Sequence, residues 1–432
     1  MKLTINGINA EKFTIVYADS PLNRSISATG RTVGEDIDAY LLGENTAQDF
    51  DRQSAERLQS LFADRFSVAL AVCSDRQAAS PACYEILVGK TDREASKTMA
   101  EQLSDRAYLC APVENAYVVC GGSYGATWHA IDAIESYLSN ATGETVDLAD
   151  VIRGDAPLKA VACLGDSITR GSQSLPDGNG YGTPDGVAAS FDSAATSYYF
   201  EQQFSYPANL ARALWKDYLV YNFGQGLSTM RNYPDAEGKD YPFYYRQTGK
   251  YKSCLAKCTE GGIAYDAVLI MLGTNDSGKQ DGAKAWSEEQ RTDYKKEAEA
   301  LLSDLSRISP NAKFVLMNVP HRCNSHKPSE SDDAIRALQK ETAEMLLSKG
   351  YAISHYDMGA YTADHLGNGH GDTKEAEIEA HADYYNIRTE TGRPDTTHPN
   401  FRGYHQISLG MRALLTYLLE DGERPAYLID LD

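Results

Sequence analysis

From residue 158 onward, runs that are apolar from end to end alternate with longer stretches whose apolar residues recur at helical spacing. The runs are "LKAVACL" (158–164), "YLVYNFG" (218–224), "YDAVLIMLG" (265–273), "KFVLMNV" (313–319) and "YAISHYDM" (351–358). Helical patterns fall between them near 206–216, at 288–308 and at 333–350, and a last one lies at 403–419. A strand that is apolar on both sides is buried on both sides, which calls for a parallel sheet covered by helices. The expected fold is therefore α/β in three layers. In such sheets ligands bind beyond the carboxyl ends of the strands, so the residues just after each run are the candidates for chemistry.

The first 140 residues carry a different mixture. "KFTIVYA" (12–18), "FSVALAV" (66–72), "YEILVGK" (84–90) and "NAYVVCGG" (115–122) read as strands, and 53–66 and 123–138 as helices, the second with Ser123 as N-cap. Residues 141–157 are polar and short on periodicity, which predicts a linker between an N-terminal α/β domain (1–140) and a larger second domain (158–432). At 432 residues, two domains are the natural division. The net charge of −20 with no basic run argues against nucleic acid as a partner. No apolar stretch is long enough to cross a bilayer, so no membrane association is expected. The N-terminus lacks a signal peptide's apolar centre, which reads as a soluble cytoplasmic protein as written, or a secreted one if a leader has been trimmed. The eight cysteines include no Cys-x-x-Cys pair, and Cys163 reads as a small buried hydrophobe. Cys254 and Cys258, four apart in a helical stretch, have no second ligand pair at finger spacing, so no metal is expected.

Four short motifs fall in order at the expected places: "GDSIT" (165–169), "NFGQGLST" (222–229), "GTND" (273–276) and "DTTHP" (395–399). Each alone has an ordinary structural reading as a turn or a helix cap. Together they supply what acyl transfer needs. A serine hydroxyl becomes nucleophilic when an imidazole takes its proton, and a carboxylate holds that imidazole in the right tautomer. Ser167, His398 and Asp395 can fill these roles, with Pro399 stiffening the backbone beside the imidazole. The Ser167 N–H and the Asn275 amide are candidate donors to an oxyanion. Asp166 reads as a brace for the nucleophile's loop.

In these motifs the segment 158–420 resembles the SGNH, or GDSL-type, serine hydrolases. The resemblance implies a parallel, flavodoxin-like sheet between helices, ester hydrolysis without a cofactor, Ser167 as nucleophile, an Asp395–His398 pair, and Asn275 as oxyanion donor. It also implies a third donor from the last glycine of Asn-x-Gly-x-x-Gly. Here Asn222 and Gly224 match, but Leu227 stands at the last position and Gly226 falls one residue early, so both remain candidates. The N-terminal half, through "YEILVGKTDR" and "GGSYGATWHAIDAIESYL", resembles the small α/β domain that precedes catalytic domains of the α-glucuronidase-like and hexosaminidase-like types.

Aromatic residues crowd two segments beside the motifs: Tyr198, Tyr199 and Phe200, then Tyr233, Tyr241, Phe243, Tyr244 and Tyr245. Aromatic faces stack on sugar rings, which makes Tyr233, Tyr241, Phe243 and Tyr244 candidate substrate contacts. The expectation is a carbohydrate acetylesterase acting on a small-molecule or polysaccharide ester. A lipid, aryl or thioester hydrolase is the first alternative, and a non-catalytic sugar-binding protein the second. The segment 355–386, with His355, His365, His370 and His381, reads as a solvated lid. Composition leaves the oligomeric state open.

Overall fold

The computed structural model describes residues 1–19, 50–78, 83–172, 205–279, 286–320, 330–366, 384 and 397–431. Two compact units emerge, one comprising Met1–Lys159 with Arg212–Leu219, the other Ala160–Ala211 with Val220–Asp432.

In the first unit, β1 (Lys2–Ile5) lies between β2 (Ile8–Asn9) and β8 (Thr145–Leu148) in a small sheet. A larger sheet has the order β4-β3-β5-β7-β6-β9. Its strands are β3 (Phe13–Tyr17), β4 (Val72–Ser74), β5 (Tyr84–Val88), β6 (Ala107–Val113), β7 (Ala116–Gly121) and β9 (Ile152–Asp155). Helices α1 (Phe50–Phe66) and α3 (Tyr124–Asn140) contribute Leu58, Phe62, Ile131 and Ile134 to its core, and α2 (Glu94–Ala100) lies between β5 and β6 in sequence. Ser123 caps α3, accepting from Ala126 N at 3.2 Å.

The expected linker is corrected here. Within 141–157, β8 pairs in parallel with β1, and β9 pairs antiparallel with β6. Their burial alternates or is only partial, so the segment looks polar in sequence while its main chain completes two sheets. "FSVALAV" is likewise corrected: α1 runs to Phe66, Val68 and Leu70 pack inward without forming a strand, and β4 begins at Val72.

The second unit has a six-stranded sheet of order β11-β10-β12-β13-β14-β15. The strands are β10 (Lys159–Gly165), β11 (Tyr218–Gly224), β12 (Ala267–Met271), β13 (Lys313–Met317), β14 (Ile353–Tyr356) and β15 (Leu428–Ile429). Numbered from β10, the first five take the order 2-1-3-4-5 of a flavodoxin-like sheet, and β10, β12, β13 and β14 pair in parallel. β15 adds an antiparallel edge. Every residue of β11 and β12 is buried, as continuous apolar runs require. Helices flank these strands in the alternation read from the sequence: α5 (Tyr206–Ala213), α6 (Gly249–Thr259), α8 (Glu288–Ile308), α9 (Glu330–Ser348), α10 (Met358–Leu366) and α11 (Phe401–Leu419). Two short turns, α4 (Ser167–Arg170) and α7 (Thr274–Gly278), come directly after β10 and β12. α8 opens with a reciprocal Ser287–Gln290 capping box and buries Tyr294, Ala298, Leu301, Leu302 and Leu305 along one stripe. α11 buries Tyr404, Ile407, Met411, Leu414 and Leu415 at the same spacing.

The supposed lid begins inside the core. His355 belongs to β14, is buried, and its Nδ1 meets the Leu316 carbonyl at 3.0 Å; burial pushes its imidazole down to about 4. Residues 358–366 form α10 rather than lid, while His370 and His381 lie outside the described residues. Among the described residues, no helix is long and apolar enough to cross a membrane.

Candidate active site

In a 2-1-3-4-5 sheet the crevice opens where the chain reverses direction, between strands one and three. Here these are β10 and β12, and Ser167 and Asn275 lie just past their carboxyl ends. Close packing makes the crevice tight. A Cβ on Gly224 would stand 2.2 Å from the Arg170 main-chain nitrogen, so the end of β11 abuts α4 as only glycine permits. Asn222 locks this contact: its Oδ1 accepts from Gly224 N at 2.9 Å, and its Nδ2 donates to the Arg170 carbonyl at 3.4 Å and to Ser205 Oγ at 3.3 Å.

Ser167 opens α4, with Asp166 as N-cap; Asp166 Oδ1 accepts from Ile168 N at 2.9 Å. Asp166 is fully buried, which pushes its carboxyl up to about 6. Gly171, left-handed at φ 90°, ends the turn. The Ser167 side chain is half-buried, with its hydroxyl open to a partner.

That partner arrives from the far end of the chain. His398 Nε2 lies 2.8 Å from Ser167 Oγ across 231 positions of sequence. The two residues after the imidazole fix the backbone that carries it. Asn400 caps α11, accepting from Arg402 N at 3.0 Å and Gly403 N at 3.2 Å, and its own N–H donates to the Tyr384 carbonyl at 2.8 Å. Pro399 is packed against the start of that helix, where a Cβ on Gly403 would come within 2.7 Å of it. Asp395 lies outside the described residues, as do Tyr198, Tyr199 and Phe200.

The loop after β11 joins the two other motifs. Gln225 N donates to the Gly165 carbonyl at 2.9 Å, and Asn275 Nδ2 donates to the Ser228 carbonyl at 2.9 Å. A primary amide has two N–H bonds, so Asn275 keeps one beyond that contact. The main-chain N–H groups of Ser167, Gly226 and Leu227 donate to no acceptor among the described residues. Leu227 takes the conformation in which glycine is the usual occupant, φ 66°, with its side chain 55% exposed. That geometry costs roughly 1–2 kcal/mol for a residue with a Cβ.

Asp276 is the anchor of this loop, and its role was not visible in "GTND". Its Oδ2 accepts from Met230 N at 2.8 Å, while Oδ1 accepts from Arg231 N at 3.0 Å and from the Tyr233 hydroxyl at 3.2 Å. Burial pushes the carboxyl up to about 6, against the pull of these donors and of the Arg231 charge. A carboxyl raised in the folded state stabilises the fold fully below its ordinary value of 3.8 and loses that contribution as pH rises through about 6. Asp276→Asn cannot titrate. The stability of wild type relative to Asp276→Asn should therefore be greatest below about pH 3 and fall by roughly 3 kcal/mol on going to pH 7. Denaturant melts across that range check this; a constant difference would contradict the burial.

The aromatic candidates divide. Tyr241 and Phe243 are half-buried and meet edge to face at 5.8 Å, and Tyr233 meets Tyr241 in the same way at 6.3 Å. Tyr244 is corrected as a stacking surface. Its ring is buried, its hydroxyl donates to Glu297 on α8, and burial pushes that hydroxyl up to about 12. Arg246 bonds the same Glu297 at 3.2 Å and Asp304 at 2.9 Å, so Tyr244 belongs to a network that pins its loop to α8. Tyr245 is also buried, donating to the Phe223 carbonyl at 2.8 Å.

No curated protein matches the chain. Among solved structures, a family two carbohydrate esterase from Clostridium thermocellum in complex with cellohexaose is 17% identical, over 62% of this chain and 67% of that one, with a TM-score of 0.38. An acetyl xylan esterase from the rumen bacterium Butyrivibrio proteoclasticus is 16% identical, over 63% and 67%, at 0.36. A protein from Parabacteroides merdae described as a GDSL-like lipase is 17% identical, over 60% and 98%, also at 0.36. Likenesses of this size say nothing about substrate. The family model of the GDSL-like lipase/acylhydrolases, by contrast, matches residues 163–406, which is more than half the chain and takes in all four motifs. The chain belongs to the GDSL-like lipase/acylhydrolase family and is, at that level, an ester hydrolase.

Proposed function

We propose that the protein is a serine esterase that removes acetyl groups from carbohydrate. The observation that carries the catalytic part is the 2.8 Å contact between His398 Nε2 and Ser167 Oγ. In this reading Nε2 takes the hydroxyl proton as Oγ attacks the ester carbonyl. The carbonyl oxygen becomes an oxyanion, received by the Ser167 N–H, the second N–H of Asn275, and the main-chain N–H of Gly226 or Leu227. The imidazolium then gives its proton to the departing sugar oxygen, leaving an acetyl-serine. Water, activated by the same nitrogen, releases acetate and restores the hydroxyl. Asp395 is assigned the task of holding the imidazole tautomer. Asp166, buried and bonded to Ile168 N, holds the turn and takes no part in proton transfer.

The carbohydrate part rests on the half-buried rings of Tyr233, Tyr241 and Phe243 in the loops beside Asn275. A series of p-nitrophenyl esters assayed beside acetylated xylan tests it. Acetate should be the best acyl group, with rates falling about tenfold or more by octanoate, and acetyl-xylan should release acetate. Rates that climb with chain length while acetyl-xylan stays intact would instead mark a lipid or aryl esterase.

A further inference from the structure

The turn that carries Asn275 also gathers two cations, Lys279 and Arg231; Arg231 is ion-paired with Asp293, while Lys279 pairs with no acid among the described residues. Lys279 lies one turn beyond Asn275, its N–H donating to the Asn275 carbonyl at 3.0 Å. Residues four apart in a helical turn share a face, so the lysine issues from the side that presents the Asn275 amide. Its ammonium lies 3.9 Å from the centre of the Tyr241 ring and 5.8 Å from that of Tyr233. Among the described residues it makes no hydrogen bond and no ion pair. Arg231 approaches the same Tyr233 ring at 4.9 Å and the Trp286 ring at 5.8 Å. This arginine is only 8% exposed. One nitrogen, Nη2, reaches Asp293 at 3.2 Å, while Nε and Nη1 have no hydrogen-bond partner among the described residues. Asp276 accepts from the Arg231 main-chain N–H and lies in the field of its guanidinium without a side-chain hydrogen bond to it.

A cation held on an aromatic face is fixed in place without being neutralised. Arg231 is compensated by Asp293 and by the buried Asp276, so the uncompensated charge beside Asn275 is that of Lys279, a cation in a chain of net charge −20. Screening confines the outer charge to about 8 Å at physiological salt, so this field acts on whatever docks beside Asn275 and on little else. Resting on the esterase reading, we infer that the sugar side of the substrate carries a carboxylate and that Lys279, seated on Tyr241, receives it. The substrate class is then an acetylated glycan bearing a uronic acid.

Binding without turnover tests this most cleanly. In a Ser167→Ala background, calorimetry would compare an acetylated xylo-oligosaccharide bearing glucuronic acid with the same sugar as its neutral uronamide. The acid should bind about fivefold tighter than the amide, as expected for one exposed charge-assisted contact. Lys279→Met should erase that preference and Lys279→Arg should keep it; Lys279 is exposed, so neither substitution disturbs packing. Equal binding of acid and amide would overturn the inference. So would a preference that survives Lys279→Met. If acetylated sugars bind and the unsubstituted enzyme deacetylates them with no preference for the acid, the inference fails while the esterase reading stands. If p-nitrophenyl acetate is cleaved but neither sugar binds, the carbohydrate reading falls and takes this inference with it.

Discussion

Ser167→Ala should lower kcat/KM for p-nitrophenyl acetate by about 10⁴-fold or more and leave the fold intact. The hydroxyl is the only atom removed. Its one hydrogen bond among the described residues is that of 2.8 Å to His398 Nε2, worth about 1 kcal/mol to stability in a half-buried setting. The proposed chemistry, by contrast, runs through that hydroxyl alone. His398→Ala should be nearly as severe, and the double variant no worse than either, because a nucleophile and its base act as one unit. What remains would be the contribution of binding and of the oxyanion donors, about 10³-fold over water. Circular dichroism and thermal melts of Ser167→Ala should match wild type. Retention of most activity in either single variant would show that another residue attacks the ester.

Gly224→Ala should cost about 3 kcal/mol of stability and at least tenfold in activity. The added Cβ would meet Arg170 N at 2.2 Å, with Arg170 Cα and the Thr169 carbonyl carbon both at 2.7 Å. These are main-chain atoms, which cannot swing aside as a side chain would, so β11 or α4 must move. A movement there breaks the Asn222 contacts with Gly224 N and the Arg170 carbonyl, and shifts the turn that begins at Ser167. A displacement of even 1 Å in the nucleophile typically costs about 10²-fold. Melting temperature and kcat read the two effects separately. An alanine variant as stable and as active as wild type would mean that the strand end and the turn do not pack as closely as they stand here.

The sheet was legible because each parallel strand is buried on both faces, which leaves an unbroken apolar run in the sequence. "LKAVACL" covers β10 up to its last residue, and "YDAVLIMLG" contains β12, for this reason. Edge and antiparallel strands leave no such mark. β8 reads Thr-Val-Asp-Leu and β9 reads Ile-Arg-Gly-Asp, so only their distant partners, β1 and β6, reveal them as strands. The approach of His398 to Ser167 could be anticipated from motif order, since three motifs follow the carboxyl ends of strands of one sheet and the fourth leads into the last helix. The fate of the aromatic loop could not. "YPFYY" presents neighbouring rings of like chemistry, and it is the packing on α8 that buries Tyr244 while leaving Tyr241 half-open. The same holds for Asp276: nothing in "GTND" tells that its carboxylate ties down Met230, Arg231 and Tyr233, residues more than 40 positions earlier.

Reaction with a fluorophosphonate, with peptide mass mapping afterwards, addresses the nucleophile most directly, because the reagent bonds only to a serine whose proton is being taken. One label per chain is expected, on the peptide that contains Ser167, and it should disappear in His398→Ala protein that is still folded. A label on a different serine, or equal labelling with the imidazole gone, would contradict the pairing on which the proposed chemistry stands.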